Sequence, residues 1–156
     1  MPQTELKLKQ YLDNIGVKYY CQTSIDVPFA QSRKHKVDFY LPEYKLYIEV
    51  KGQMTIYAVA TLLWEHIGSG ENFYVYQATN ENWMTPYDKS QHQTLKSKLE
   101  QNLSKQQEEL KNLVDGKITA EVLSKRSLSR LIGYIGDEFK GLADWLSVSG
   151  ESCQIG

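Results

Sequence analysis

The chain has 156 residues, of which 41% are hydrophobic, 12% are aromatic and 24% are charged, and its formal net charge is -1. This length predicts one domain whose core needs neither disulfides nor a structural metal. Two distant cysteines, Cys21 and Cys153, predict neither a disulfide framework nor a zinc knuckle. The near-zero charge argues against a protein that coats nucleic acid, and no apolar run reaches the roughly 20 residues of a membrane span.

The first half of the chain predicts a helix, three strands, a second helix and a fourth strand. Thr4 is suited to cap the first helix and Gly16 to end it. Aromatic and β-branched residues mark the strands, and apolar residues at helical spacing precede Gly68. The predicted elements are helix 4–15, strand 17–27, strands 37–41 and 45–51 around a turn at 42–44, helix 54–68 and strand 72–78.

The second half of the chain predicts helices. A polar segment with Pro86 predicts a linker. Leucines such as Leu110 then recur at helical spacing and predict a helix, which either packs on the core or forms a dimer seam. Gly133 and Gly136 divide the later sequence into two predicted helices. We therefore expect an α/β (α+β) chain with a core at 1–80, a linker at 81–94 and a helical extension at 95–150 that packs on the core.

The two central strands place three charges together. If their turn is centred between Glu43 and Tyr44, Asp38 lies opposite Glu49, and Lys51 follows on the same face. Two facing carboxylates repel each other, whereas Mg²⁺ commonly binds through one or two carboxylates, with water and phosphate as further ligands. The alternative is the solvated face of an edge hairpin, and a one-residue slip of register would move Asp38 away.

This arrangement resembles the signature of the PD-(D/E)xK nuclease superfamily. Asp38 at the start of one strand and Glu49-Val50-Lys51 in the next match the motif, although Val37 stands where proline is usual. The element order αβββαβ is similar to the restriction-endonuclease-like core. The likeness covers roughly residues 4–79, and it extends to junction-resolving endonucleases of phages and archaea and to a small intron-encoded homing endonuclease.

The resemblance implies a role for each matched residue. Asp38 and Glu49 would ligate Mg²⁺, for which Mn²⁺ can substitute, together with the backbone carbonyl of Val50. Lys51 would orient or help to deprotonate the attacking water, or stabilise charge on the phosphorane. Glu5, in the first helix, would bind a second metal or a metal-bound water, and the alternative is a solvated charge near the helix N-terminus.

The implied function is metal-dependent cleavage of double-stranded DNA by a cytoplasmic homodimer or homotetramer of bacterial, organellar or phage origin. Site-specific cleavage of homing or restriction type is expected first, because the helical extension offers reading surface. The alternatives are a structure-selective Holliday-junction resolvase and a non-catalytic DNA-binding module on the same fold. No Ser/His/Asp or Cys/His constellation competes, and His66 is expected on a helix surface. The expected DNA contacts are Arg33, Lys34, His35, Lys36, Gln53, Lys125, Arg126 and Arg130.

Overall fold

The protein is described by a computed structural model over residues 3–28, 34–52, 56–78 and 92–149. These residues form an α+β fold with a four-stranded mixed sheet and four helices. In chain order the elements are α1 (Gln3–Asn14), β1 (Tyr20–Asp26), β2 (Lys34–Leu41), β3 (Leu46–Lys51), α2 (Ile56–Ser69), β4 (Asn72–Gln77), α3 (His92–Val114) and α4 (Ala120–Ser149).

The predicted order αβββαβ is confirmed for the first half of the chain. The sheet has the strand order β1-β2-β3-β4; β1, β2 and β3 pair antiparallel, and β4 pairs parallel to β3 after the crossover through α2. Gly16 ends α1 with φ 73°, a left-handed conformation that glycine adopts without steric cost, and the Val17 N–H closes the turn on the Leu12 carbonyl at 3.3 Å. Thr4 lies inside α1 rather than capping it.

One prediction for the second half of the chain is wrong. The sequence after Thr119 forms a single helix, α4, and not two helices. Thr119 caps it, since its hydroxyl accepts the Val122 N–H at 3.2 Å. Gly133 and Gly136 lie on exposed positions within it, where glycine costs about 1 kcal/mol relative to alanine but breaks no packing contact.

The sheet separates two buried clusters, because neighbouring residues of a strand point to opposite faces. The larger cluster joins Leu8 and Leu12 of α1 and Leu110 and Leu113 of α3 to one face. Leu110 is therefore buried in the chain's own core and does not belong to an exposed dimer seam. The other cluster lies on the second face; its members are Ile25, Val27, Val37, Val59, Leu62, Phe73, Val75 and Leu131.

The helical extension also covers an edge of the sheet. Strand β4 is an edge strand, and the N–H groups on its outer side would otherwise be unpaired. Side chains of α3 and α4 accept all three of them, so both helices are integral to the sheet's stability. The bonds run from Phe73 N to Ser124 Oγ at 3.0 Å, from Val75 N to Ser127 Oγ at 2.9 Å, and from Gln77 N to Gln106 Oε1 at 2.8 Å.

The predicted linker falls largely outside the described residues. Residues 79–91 are not described, and His92 already belongs to α3, so the helix begins earlier than predicted. Arg33 and Gln53, both predicted DNA contacts, also lie outside the described residues. None of the helices in the described part of the chain combines the length and apolar character that crossing a membrane requires.

Candidate active site

The β2–β3 hairpin has the predicted register. Its backbone pairs are Leu41 with Leu46, Tyr40 with Tyr47 and Phe39 with Ile48, which centres the turn between residues 43 and 44. The ladder stops there, and the next strand residue, Asp38, bonds through its side chain instead.

The Asp38 carboxylate takes the place of a backbone acceptor at the end of this ladder. The backbone N–H of Val50 donates to Asp38 Oδ2 at 2.8 Å. The other carboxylate oxygen, Oδ1, accepts the side-chain amide of Gln22 in β1 at 3.3 Å. The sequence did not single out Gln22. Asp38 is consequently held at both oxygens where the two central strands separate.

Glu49 is buried beside Asp38. It is 7% exposed, and burial raises the pKa of its carboxyl to about 10. A hydrogen bond with Asp38 and the negative charges of Asp38 and Glu65 act in the same direction, whereas the Lys51 ammonium lowers this pKa. Without a cation, Glu49 therefore carries a proton at neutral pH. A divalent cation would take the place of that proton.

Glu5 reaches the same site from α1. Burial raises the pKa of its carboxyl first, and the charge and hydrogen bond of Asp38 raise it further. The structure thus brings Glu5 to Asp38, as the sequence predicted. Its half-buried position beside a second carboxylate differs from the fully solvated alternative.

Glu65 and His35 were not predicted as a pair. Glu65 in α2 lies 3.5 Å from His35 Nδ1 through Oε1, and its side chain is only 8% exposed. Burial raises the pKa of Glu65, and the positive charges of His35 and Lys51 lower it. No sequence signal marked Glu65, because the apolar spacing of α2 predicted a buried face with Ala60 and Ile67, which are exposed, whereas Glu65 lies on the buried side with Leu62.

The proposed DNA contact by His35 is not favoured by this geometry. His35 Nε2 is buried and has no hydrogen-bond partner, and the same is true of Glu65 Oε2. Lys34 and Lys36, its neighbours in β2, are exposed. A phosphate could therefore meet these two lysines more readily than the histidine ring.

The side chains that could ligate a metal at this site are carboxylates. Within the parts of the chain whose side chains are described, no group of three or more His, Cys, Asp or Glu is placed to hold a metal ion. Mg²⁺ does not require such a group, because it commonly uses one or two carboxylates and keeps several waters. The hard oxygens of Asp38 and Glu49 fit that pattern.

The basic residues of α4 divide into two kinds. Lys125 and Arg126 are exposed on the side of the helix away from the sheet. Arg130 instead pairs with Glu109 of α3 and donates to the Tyr74 hydroxyl at 3.4 Å. Since Glu109 is 7% exposed, Arg130 neutralises a nearly buried carboxylate and is less available for DNA.

The expectation for His66 is wrong. Its ring is buried between α2 and α4, with Nε2 3.0 Å from the Ser124 carbonyl oxygen. Burial lowers its pKa, so the ring is neutral in the folded protein near pH 7. His66 therefore joins two helices and is not a surface residue.

No protein-family model, curated protein or solved structure matches this chain. The chain's own geometry defines an α+β fold with a carboxyl pair, the buried Glu49 and the half-buried Asp38, and with Lys51 two residues after Glu49 on β3.

Proposed function

We propose that the chain is a Mg²⁺-dependent endodeoxyribonuclease with the restriction-endonuclease-like core of the PD-(D/E)xK superfamily. One observation carries the proposal. Glu49 is buried beside the Asp38 carboxylate where the β2–β3 ladder stops, and Lys51 is close enough to lower the pKa of Glu49. A solvated hairpin face does not bury a carboxyl to this extent, because an ionised carboxylate is costly to remove from water.

Asp38 and Glu49 would hold the Mg²⁺, with the backbone carbonyl of Val50 as the ligand that the family resemblance adds. The bound ion supplies Lewis acidity and lowers the pKa of a coordinated water. Lys51 would stabilise negative charge on the phosphate oxygens and orient the attacking water. Glu5, beside Asp38, would keep that carboxylate in place or bind a water near it.

The position of α4 bears on the choice between the two cleavage modes. The sequence favours site-specific cleavage of homing or restriction type, because the helical extension offers a surface for base recognition. Much of that surface covers β4, since Ser124 and Ser127 of α4 accept its outer N–H groups. The exposed cations Lys125 and Arg126 remain for DNA contact. A structure-selective Holliday-junction resolvase is accordingly the second candidate, because it needs phosphate contacts and little base reading.

A protein of either type acts on two strands, and one active site cuts one strand. We therefore propose a symmetric homodimer or homotetramer that acts in the cytoplasm. Size-exclusion chromatography with light scattering, with and without DNA, measures this directly.

The test is a cleavage assay with three substrates in parallel: a supercoiled plasmid, a random linear duplex library and a four-way junction. Cleavage should require Mg²⁺, stop with EDTA, and fall by about 10²-fold or more in Lys51→Ala. Lys45→Asn is the matched control, because it removes a lysine from the far end of the same hairpin at a left-handed position that asparagine tolerates.

The outcomes separate the candidates. Selection of one sequence class from the library supports site-specific cleavage, and selective cutting of the junction supports a resolvase. Binding of DNA without any cutting indicates the non-catalytic module. Normal cleavage by Lys51→Ala would contradict the proposed site.

A further inference from the structure

The backbone of β1 is irregular at one residue. Gln22 has φ 53°, a left-handed conformation that is rare for a non-glycine residue and more so inside a strand. Among the described residues, Lys45 is the other non-glycine residue with positive φ, at 51°, and it lies in the β2–β3 turn, where such a conformation is common. No turn accounts for the conformation of Gln22.

The irregularity falls at the site. Pairing of β1 with β2 includes Cys21 with Phe39 and Thr23 with Val37, so Gln22 lies opposite Asp38 in an interrupted position of the ladder. Phe39 and Val37 are buried in different core clusters although they are two residues apart. The buried side chains of β2 therefore change from one core cluster to the other at Asp38, the residue opposite Gln22.

The strained backbone directs the side chain of Gln22 to Asp38. Its amide donates to Asp38 Oδ1 at 3.3 Å, while the Val50 N–H donates to Oδ2. Each oxygen keeps a further lone pair, because a carboxylate oxygen accepts more than one bond. Two donors on opposite sides of the carboxylate fix its rotation about the bond to Cβ.

We propose that Gln22 is a positioning residue that sets the orientation of the Asp38 carboxylate toward a divalent cation. Strained residues persist where the surrounding structure holds them and are concentrated at functional sites. Partners that orient a metal-ligating carboxylate commonly matter 10- to 100-fold for metal affinity or activity. This inference rests on the proposed function, which assigns the cation to Asp38.

Three variants of Gln22 separate the side chain's role from the backbone's. Gln22→Asn suits the left-handed conformation better but its amide is one methylene shorter and does not reach Asp38. Gln22→Gly removes both the strain and the amide. Gln22→Glu keeps the length and the strain but replaces the donor by a carboxylate, which repels Asp38. Lys45→Asn is the control at the other left-handed residue.

The measurements are Mn²⁺ affinity by calorimetry, the melting temperature in EDTA, and kcat and KM for DNA cleavage. We expect Gln22→Asn to melt at the wild-type temperature or above it, yet to bind Mn²⁺ at least about 10-fold more weakly. Gln22→Gly should bind Mn²⁺ as weakly as Gln22→Asn. In all three variants kcat should fall with KM for DNA nearly unchanged. Lys45→Asn should match wild type in every measurement.

The results distinguish this inference from the proposed function. Wild-type Mn²⁺ affinity and kcat in both Gln22→Asn and Gln22→Gly would overturn the inference and leave the nuclease standing. If the wild-type protein binds Mn²⁺ but cuts no DNA, and Mn²⁺ binding weakens in these variants, the positioning role is supported and the nuclease is overturned. A wild-type protein that binds no Mn²⁺ would overturn both.

Discussion

Replacement of Glu49 by glutamine should stabilise the metal-free protein. The pKa of this buried carboxyl rises from 4.5 to about 10, so the folded state holds a proton that the unfolded state releases near pH 4.5. Each pH unit above 4.5 is worth about 1.4 kcal/mol, which amounts to about 3 kcal/mol at pH 7. Glutamine has the same size and needs no proton, so Glu49→Gln should gain about 1–3 kcal/mol, or roughly 3–10 °C in Tm.

The sign of the pH dependence provides the sharper test. Because its pKa is raised, the contribution of Glu49 to the free energy of unfolding is fully present below pH 4.5 and is lost as pH rises towards about 10. Wild type and Glu49→Gln should therefore agree at pH 4 and diverge steadily up to pH 7. The assay is urea unfolding in EDTA at several pH values. Glu43→Gln, at an exposed position of the same hairpin, should change stability by less than about 0.5 kcal/mol.

Addition of Mg²⁺ should reverse the order of the two proteins. A ligand that binds only the folded state stabilises it, and wild type retains the carboxylate that Glu49→Gln lacks. A Glu49→Gln protein that is less stable than wild type in EDTA at pH 7, by an amount that does not vary with pH, would refute this reasoning.

Three further outcomes concern the helices around the sheet. Ser127→Ala should cost about 1–3 kcal/mol in urea unfolding because it leaves a buried strand N–H unpaired. Ser129→Ala, on the exposed face, should be neutral, and equal effects of the two variants would contradict the edge-covering role. His66→Gln should remove a loss of stability that wild type shows as pH falls below 6.5, since burial lowers the pKa of this histidine; parallel pH profiles would contradict it. Arg130→Ala should lower the melting temperature, and Arg126→Ala should instead weaken DNA binding and reduce its salt dependence in fluorescence anisotropy; the opposite assignment would contradict the division of α4.

Much of the core could be predicted because local patterns and packing agree there. The β2–β3 register follows from the alternation of apolar residues on either side of a short turn, and the structure has that register. Asp38 and Glu49 were accordingly placed opposite each other from the sequence alone. The single α4 was missed because Gly133 and Gly136 usually signal a helix end. Their exposed positions leave the buried face of α4 uninterrupted over residues 120–136, and tertiary packing outweighs the intrinsic preference.

The contacts missed at the site are those that local patterns do not encode. Gln22 is neither glycine nor asparagine, so nothing in its own sequence marks a left-handed residue within a strand. The His35–Glu65 pair joins β2 to α2, and pairing across such a distance depends on the crossover geometry. The cover of β4 by Ser124 and Ser127 is similar, because serines on a helix are usually solvated.

Three departures from ordinary structure lie near Asp38. There a strand residue adopts a left-handed conformation at Gln22, a carboxyl is buried and protonated at Glu49, and Glu65 keeps a buried oxygen without a partner. At β4, by contrast, the helices satisfy even the outer N–H groups. Natural chains tend to break local rules where function demands it. Each of these three departures raises the free energy of the folded state, and a cation between Asp38 and Glu49 would reduce the largest electrostatic one.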